Sequence, residues 1–308
     1  MAIAFISHPD CALHEMGAGH PECPQRLSAI QDQLLASRME LALRHLEAPL
    51  ASREQLCLAH DPAYVDRIFR SAPREGYLRL DPDTLMNPHS LAAARRAAGA
   101  VILAVDTVME GGIPQAFCAV RPPGHHAEHD RAMGFCIFNN VAVGAAHALH
   151  QHRLQRVAIV DFDVHHGNGT EDIFTEDTRV LFCSSFQHPF YPYSDLETNP
   201  AQTVHAPLPA GSGGAAFRRA VEEHWLPRLE AFAPQLLLIS AGFDAHAEDE
   251  MAGLMLVESD YHWVTRQLLA LARRHCEGRM VSTLEGGYAL GALGRSVVAH
   301  LDALLDPG

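Results

Sequence analysis

Five short stretches of this chain are apolar at nearly every position, and they constrain the fold more than any other feature. Strands buried on both faces of a parallel sheet typically lack polar alternation in this way. Residues spaced for amphipathic helices lie around them, over 27–34, 91–105, 217–229 and 261–271. This alternation predicts an α/β fold, a three-layer domain with a mostly parallel central sheet. The five apolar stretches are residues 116–120, 157–162, 180–183, 236–240 and 280–284.

The rest of the chain is compatible with one domain over residues 1–308, because no repeat or long linker divides it. A surplus of 37 acidic over 23 basic residues gives a net charge of −14, which argues against nucleic-acid binding. The longest apolar stretch, residues 97–105, is too short to span a membrane. No C-x-x-C pair and no signal peptide are recognisable, so we expect a cytoplasmic protein. The sequence leaves open whether the protein forms a homo-oligomer.

Polar and glycine-rich segments follow four of the predicted strands. In parallel α/β sheets, ligands bind beyond the carboxyl ends of the strands, so these segments are expected to lie close together. Each segment carries groups able to bind a metal, move a proton or stabilise an oxyanion. The segments are residues 121–126 (R-P-P-G-H-H), 161–170 (D-F-D-V-H-H-G-N-G-T), 241–244 (A-G-F-D) and 285–288 (E-G-G-Y).

Asp163, His165 and Asp244 are the candidate metal ligands. Two carboxylates and one imidazole leave a coordination position open, as in catalytic zinc sites, and iron is also compatible with this set. Asp163 and His165 would otherwise cap a helix or pair locally. Asp161 is expected to orient a histidine, to hold a monovalent cation with the Ser184 hydroxyl, or to form a buried salt bridge.

The adjacent His125 and His126 are the candidate acid and base groups. In an extended segment their rings would point in opposite directions and so have different environments, and one could accept a proton from the attacking water. Tyr288 follows two glycines that suit a tight turn, from which its hydroxyl could donate to an oxyanion. The alternatives are a surface or core polar role for the two histidines and a packing role for Tyr288.

These motifs, in this order, resemble those of the zinc-dependent histone deacetylase family, class II and its bacterial acetylpolyamine-hydrolysing relatives in particular. His20-Pro21-Glu22 and Met133-Gly134-Phe135-Cys136 fit as well, and the similarity runs from about residue 8 to residue 304. The resemblance implies an arginase/deacetylase fold with eight strands in the central sheet.

The resemblance also implies roles for individual residues. Asp163, His165 and Asp244 would bind one zinc ion. His125, His126 and Tyr288 would be catalytic, with Asp161 supporting His125 and Asn168 standing near His126. Arg26 would lie near an acetate channel, and Asp81 or Asp83 on a rim loop. The substrate tunnel and rim would comprise Gly134, Phe135, Tyr191 and Met251; a structural potassium ion would use Asp161, Asp163, His165, Ser184 and Ser185.

The predicted function is therefore a zinc-dependent amidohydrolase that removes acetyl or short acyl groups from lysine side chains or related amines. An acetylpolyamine amidohydrolase is the nearest alternative; an arginase-type ureohydrolase and a catalytically dead acyl-ligand binding protein are more remote. The family often has Gly-Asp-Pro before the rim residue, whereas here Glu250 replaces the proline and Met251 occupies the rim. Since Met251 is apolar, we expect better hydrolysis of acyl-lysine than of acetylspermidine.

Overall fold

The computed structural model describes residues 2–194, 196 and 201–306. Ten strands lie in this part of the chain: β1 (Ile3–Ser7), β2 (Leu43–Glu47), β3 (Leu78–Arg79), β4 (Leu85–Met86), β5 (Gln115–Cys118), β6 (Val157–Asp161), β7 (Val180–Gln187), β8 (Thr203–Leu208), β9 (Leu236–Ala241) and β10 (Met280–Leu284).

Helices α1 to α10 pack around these strands. They are α1 (Gln25–Ala36), α2 (Arg53–Leu56), α3 (Pro62–Ser71), α4 (Ser90–Glu110), α5 (Asn140–Gln151), α6 (Asn168–Phe174), α7 (Gly214–Ala220), α8 (Leu226–Phe232), α9 (Glu258–His275) and α10 (Leu290–Leu304). A π-helical turn, Val221–Trp225, joins α7 to α8. None of the helices in the described ranges combines the length and apolar character that crossing a bilayer requires.

Eight of the described strands form the main sheet, in the order β2-β1-β5-β10-β9-β6-β7-β8, and every pairing in it is parallel. The five predicted strands are the contiguous block from β5 to β7. The α/β class and the parallel eight-stranded sheet are thus confirmed. That residues 1–308 form a single domain stays a prediction.

Two apolar cores lie on opposite faces of this sheet. Alternate residues of β6 serve different cores: Val157 and Ile159 belong to the core under α4 and α5, whereas Ala158 and Val160 belong to the one under α1, α9 and α10. Both faces of β6 are buried, which explains why that stretch is apolar throughout. All seven cysteines are free.

Candidate active site

The four predicted segments meet at one edge of the sheet. Strands β5, β10, β9 and β6 are consecutive neighbours and run parallel, so their carboxyl ends deliver these segments to the same place. A cavity of about 220 Å³ opens there. Its lining includes seven of the predicted site residues, His125, His126, Gly134, Phe135, Tyr191, Met251 and Tyr288, together with the predicted ligand His165.

The three candidate metal ligands converge beside His165, which lines this cavity. The Nδ1 atom of His165 lies 3.0 Å from Asp163 Oδ1 and 3.2 Å from Asp244 Oδ2. All three side chains are buried, and their ligand atoms lie within 4.8 Å of one another. Such a group can hold a metal ion.

Two further observations show that this group fits a cation. A Cβ on Gly242 would collide with the Asp163 carboxylate, and one on Gly286 would collide with that of Asp244. Glycine at these two positions therefore gives the two carboxylates the space that they occupy. Among the described residues, only the 3.2 Å contact from His165 Nδ1 reaches the buried Asp244 Oδ2 atom, and it lacks the geometry of a hydrogen bond. A buried carboxylate oxygen without a donor is costly, and a metal ion would satisfy it.

The charges of this group lead to the same conclusion. Burial alone would lower the pKa of His165, but the Asp163 and Asp244 carboxylates raise it to about 10. Burial, reinforced by Asp163, raises the pKa of Asp244 to about 7. Two carboxylates packed together away from water favour a positive charge between them, which a protonated His165 or a divalent ion would supply.

His125 and His126 have different hydrogen-bond partners. His125 Nδ1 lies 2.9 Å from Asp161 Oδ2, and His126 Nδ1 lies 2.7 Å from Asn168 Oδ1. The two rings do not point in opposite directions: their centroids are 4.1 Å apart, because the pair lies in a turn and not in an extended segment. Both rings therefore face the cavity.

The two partners give the histidines opposite electrostatic character. Burial would lower the pKa of His125, but Asp161 and Asp163 raise it well above its usual range. Burial, together with the nearby His125 and His165, lowers the pKa of His126 well below its usual range. An amide oxygen accepts the Nδ1–H of His126 without adding charge, which leaves Nε2 free as a proton acceptor.

Tyr288 is held by main-chain contacts from two sides. The buried Arg26 guanidinium donates to the carbonyls of Glu285 and Gly287 and lies 5.0 Å from the Tyr288 ring centroid. Asp249 accepts the amide protons of Tyr288 (2.6 Å) and Ala289 (2.9 Å). Arg26 thus supports the turn that carries Tyr288; its role in an acetate channel stays a prediction.

Aromatic side chains form the walls of the cavity. Phe135 lies edge-on to Tyr288, with centroids 6.0 Å apart, and Tyr191 lies edge-on to His126, at 5.2 Å. Phe190 stacks on His165 at 5.6 Å. These rings surround the cavity with apolar surface and leave its polar groups at the base.

The rim is organised by Asp83 and not by Asp81. Asp83 Oδ1 accepts the Gly134 amide proton (3.2 Å) and lines the cavity, whereas Asp81 bonds the amides of its own turn. Met251 lies at the same cavity, and Asp249 Oδ1 accepts its amide proton (3.0 Å). Asp249 therefore connects the rim at Met251 to the turn that carries Tyr288.

Asp161 and Ser184 are opposite one another on the paired strands β6 and β7. Asp161 lies 2.9 Å from His125 Nδ1 and accepts the Asp163 amide proton (3.0 Å), a contact that an orienting role toward a histidine requires. The Ser184 hydroxyl lies 3.0 Å from His166 Nδ1, and Ser185 is buried beside it in β7. The predicted cation site at these groups stays a prediction.

Sequence reasoning missed four residues that support the site. Glu285 accepts the amide protons of Gly124 (2.6 Å) and His125 (3.1 Å) through its buried carboxylate. Glu22 pairs with Arg121 and Arg26, all three fully buried. Two of these residues belong to the predicted motifs, Glu285 to E-G-G-Y and Arg121 to R-P-P-G, and that position was a sequence signal for them. The four are Glu285, Asp249, Glu22 and Arg121.

Comparison with known proteins identifies relatives over nearly the whole chain. The model of the histone deacetylase domain matches residues 20–304. The chloroplastic histone deacetylase 14 of Arabidopsis thaliana is 37% identical, over 98% of this chain and 76% of its own length. The polyamine deacetylase HDAC10 of Homo sapiens is 36% identical, over 100% of this chain and 49% of its own length. A crystal structure of the HDA15 HD domain superposes with a TM-score of 0.92, at 33% identity, covering 99% of this chain and 88% of that one.

Proposed function

Since the chain belongs to the histone deacetylase family, we propose that it is a zinc-dependent deacylase that hydrolyses the amide bond between a short acyl group, acetyl above all, and an amine. One observation carries the proposal: Asp163, His165 and Asp244 converge, and His165 lines the same cavity as His126 and Tyr288. Metal ligands, a proton acceptor and an oxyanion donor are the parts that amide hydrolysis needs.

Asp163, His165 and Asp244 would hold the zinc ion, and Fe²⁺ is the alternative that this ligand set allows. When bound, the ion supplies Lewis acidity toward the substrate carbonyl and the attacking water. The carboxylates and imidazole are fixed before binding by buried hydrogen bonds: Asp163 Oδ2 accepts the Gly286 amide proton (2.8 Å), and Asp244 Oδ1 accepts that of Val164 (2.9 Å).

His126 is assigned the proton transfers. Asn168 holds the Nδ1–H, so Nε2 faces the cavity and accepts a proton from water. The same nitrogen then returns the proton to the departing amine. His125, paired with Asp161, stays cationic beside it and stabilises the negative charge that develops during attack.

Tyr288 is assigned the oxyanion contact. Burial raises the pKa of its phenol well above its usual range, so the hydroxyl stays protonated and can donate. Arg26 and Asp249 fix the main chain on both sides of Tyr288, which keeps the donor in place before substrate arrives. The rings of Phe135 and Tyr191 would enclose the aliphatic part of the acylated amine and exclude bulk water.

We extend the proposal to a structural potassium ion. Asp161 and Ser184 face one another across β6 and β7, and the neighbouring carbonyls of Asp163, His165 and Ser185 would complete its oxygen shell. A monovalent cation there would offset the negative charge of Asp161, a buried carboxylate near the zinc ligands.

Acyl-lysine is the proposed substrate class, because Met251 presents an apolar side chain at the cavity rim. A polyamine is the second candidate, since a relative bears the name polyamine deacetylase and the carboxylates of Glu248 and Glu250 lie beside Met251 at the surface. Glu248 is already paired with Arg295 at 2.5 Å, whereas Glu250 makes no ion pair with any residue that the structure describes.

A substrate panel on the zinc-loaded enzyme tests the proposal. Acetyl-lysine peptides, longer acyl-lysine peptides and acetylspermidine would be compared by kcat/KM, with urea release from arginine as the ureohydrolase control. We expect turnover of the acyl amines, fastest for acetyl-lysine, and none of arginine. Binding of acyl-lysine without turnover would instead indicate a dead scaffold.

A further inference from the structure

A second cluster of metal-ligating side chains lies on the outer surface, where helices α4 and α5 pack together. Asp106 belongs to α4, His147 to α5, and His152 follows the last residue of α5. The helices approach closely at Gly144, where a Cβ would collide with the Val101 side chain. This approach brings His147, one turn further along α5, to the carboxylate of Asp106.

The geometry of this cluster is that of ligands converging on one point. His147 Nε2 and His152 Nε2 each lie 2.8 Å from the same oxygen, Asp106 Oδ1. The two rings are nearly perpendicular, at 77°, with centroids 5.8 Å apart, so the nitrogens meet at the oxygen while the rings do not stack. The three ligand atoms lie within 4.8 Å of one another.

We propose that Asp106, His147 and His152 bind one divalent transition-metal ion, of the zinc, nickel or cobalt type, at a surface site separate from the active site. Bonds of about 2.0–2.2 Å at a tetrahedral centre place ligand atoms roughly 3.4 Å apart. The present separations of 2.8 Å therefore need to open by only about half an ångström, within the reach of side-chain rotation. Two imidazoles and one carboxylate select such ions over Mg²⁺ or Ca²⁺, which prefer oxygen ligands.

Solvent exposure separates this cluster from the active-site ligands. The side chains of Asp106 and His152 are 35% and 20% exposed, whereas that of His147 is 9% exposed. An ion can therefore enter directly from water and keep water in its remaining positions. In the unloaded state each imidazole donates its Nε2 proton to Asp106; binding needs only the other tautomer, with the proton on Nδ1.

The ion would fasten the end of α5 to α4. Helix α5 spans 12 residues, about 18 Å, and its first residue, Asn140, bonds the Pro122 carbonyl (3.1 Å) beside the His125–His126 pair. The surface site lies at the opposite end of α5, so its loss should leave turnover unchanged. Metal binding and thermal stability are the properties that it should alter.

Titration of the zinc-loaded enzyme with Ni²⁺ tests the proposal. One equivalent of zinc is bound first, excess metal is removed, and Ni²⁺ binding is followed by calorimetry. We expect the wild type to bind one further equivalent and to gain thermal stability on doing so. His152→Ala and Asp106→Asn should weaken this binding by at least about tenfold and abolish the gain, while kcat stays at the wild-type value.

Two control variants make the outcome decisive. His150→Ala removes an exposed histidine from the same helix end but not from the cluster, and it should bind Ni²⁺ like the wild type. His205→Ala alters the other non-catalytic group, His166, Glu171 and His205, and should likewise have no effect. Equal loss in His150→Ala, loss only in His205→Ala, or full binding by both His152→Ala and Asp106→Asn would each overturn the proposal.

Discussion

Replacing Gly134 with alanine should inactivate the enzyme by moving His126. Gly134 has a φ of +56°, and a Cβ there would lie 2.7 Å from His126 Cγ and closer still to Cδ2. Ordinary contact needs about 3.4 Å or more, so the imidazole must shift by roughly 1 Å. Displacing a reacting group by about 1 Å costs on the order of 100-fold in rate. We therefore expect kcat to fall on the order of 100-fold for an acetyl-lysine peptide.

The backbone cost of this substitution can be measured separately. Gly76 has a similar φ of +65°, but nothing lies within 4 Å of a Cβ at that position. Gly76→Ala should lose about 1 kcal/mol of unfolding free energy, as any residue forced into the left-handed region does, and keep its kcat. The reasoning is refuted if Gly134→Ala keeps the wild-type kcat, or if Gly76→Ala lowers kcat as much as Gly134→Ala does. Either result would show that the close approach of Gly134 to His126 does not position the base.

Three further outcomes are expected. Tyr288→Phe should lower kcat by on the order of 10²–10³-fold with little change in KM, because only the oxyanion donor is removed; near-normal turnover would refute its assigned role. Met251→Glu should shift the ratio of kcat/KM values for acetylspermidine and acetyl-lysine toward acetylspermidine, whereas Glu250→Ala should change this ratio little. If the wild type already prefers acetylspermidine and Glu250→Ala abolishes that preference, Glu250 is the rim residue and not Met251. Burial opposes ionisation of Glu22, but Arg121 lowers the pKa of this carboxyl from its usual value of 4.5 to about 2. Because the folded-state pKa is the lower one, its stabilisation of about 3 kcal/mol is present above pH 4.5 and lost as the pH falls toward 2. Urea unfolding should show this loss, and an equal pH dependence in Glu22→Gln would contradict it.

The inner half of the sheet could be predicted because its strands are buried on both faces. Strands β5, β6, β7, β9 and β10 are buried throughout and mostly apolar for that reason, and the predicted segments follow all of them except β7. The edge strands are different: β2 has no buried residue, and β8 alternates toward its end, so neither looks like a buried strand. Strand β1 is apolar and buried too, but one short apolar stretch at the start of the sequence does not by itself distinguish a strand from the apolar part of a targeting segment.

The site was predictable as far as its motifs extend along the chain. Residues close together in sequence, such as Asp163 and His165, have a spacing that can be read directly from the sequence. Asp249 and Glu22 act through main-chain and ion-pair contacts with segments distant in sequence, and nothing in their own neighbourhood indicates those partners. The rim depended on the path of a loop: only the folded chain distinguishes Asp83 from Asp81.

Metal reconstitution of the chelated enzyme tests the central claim most directly. Zinc would be added stepwise to the apoenzyme, and acetate release from an acetyl-lysine peptide measured at each step. We expect no activity without metal and full activity at one equivalent per chain, because Asp163, His165 and Asp244 form a single buried ligand group at the cavity. Asp244→Ala should stay folded by circular dichroism and show no activity at any zinc concentration near stoichiometry. Activity of the apoenzyme, an absolute requirement for two equivalents, or full activity of Asp244→Ala would contradict the account.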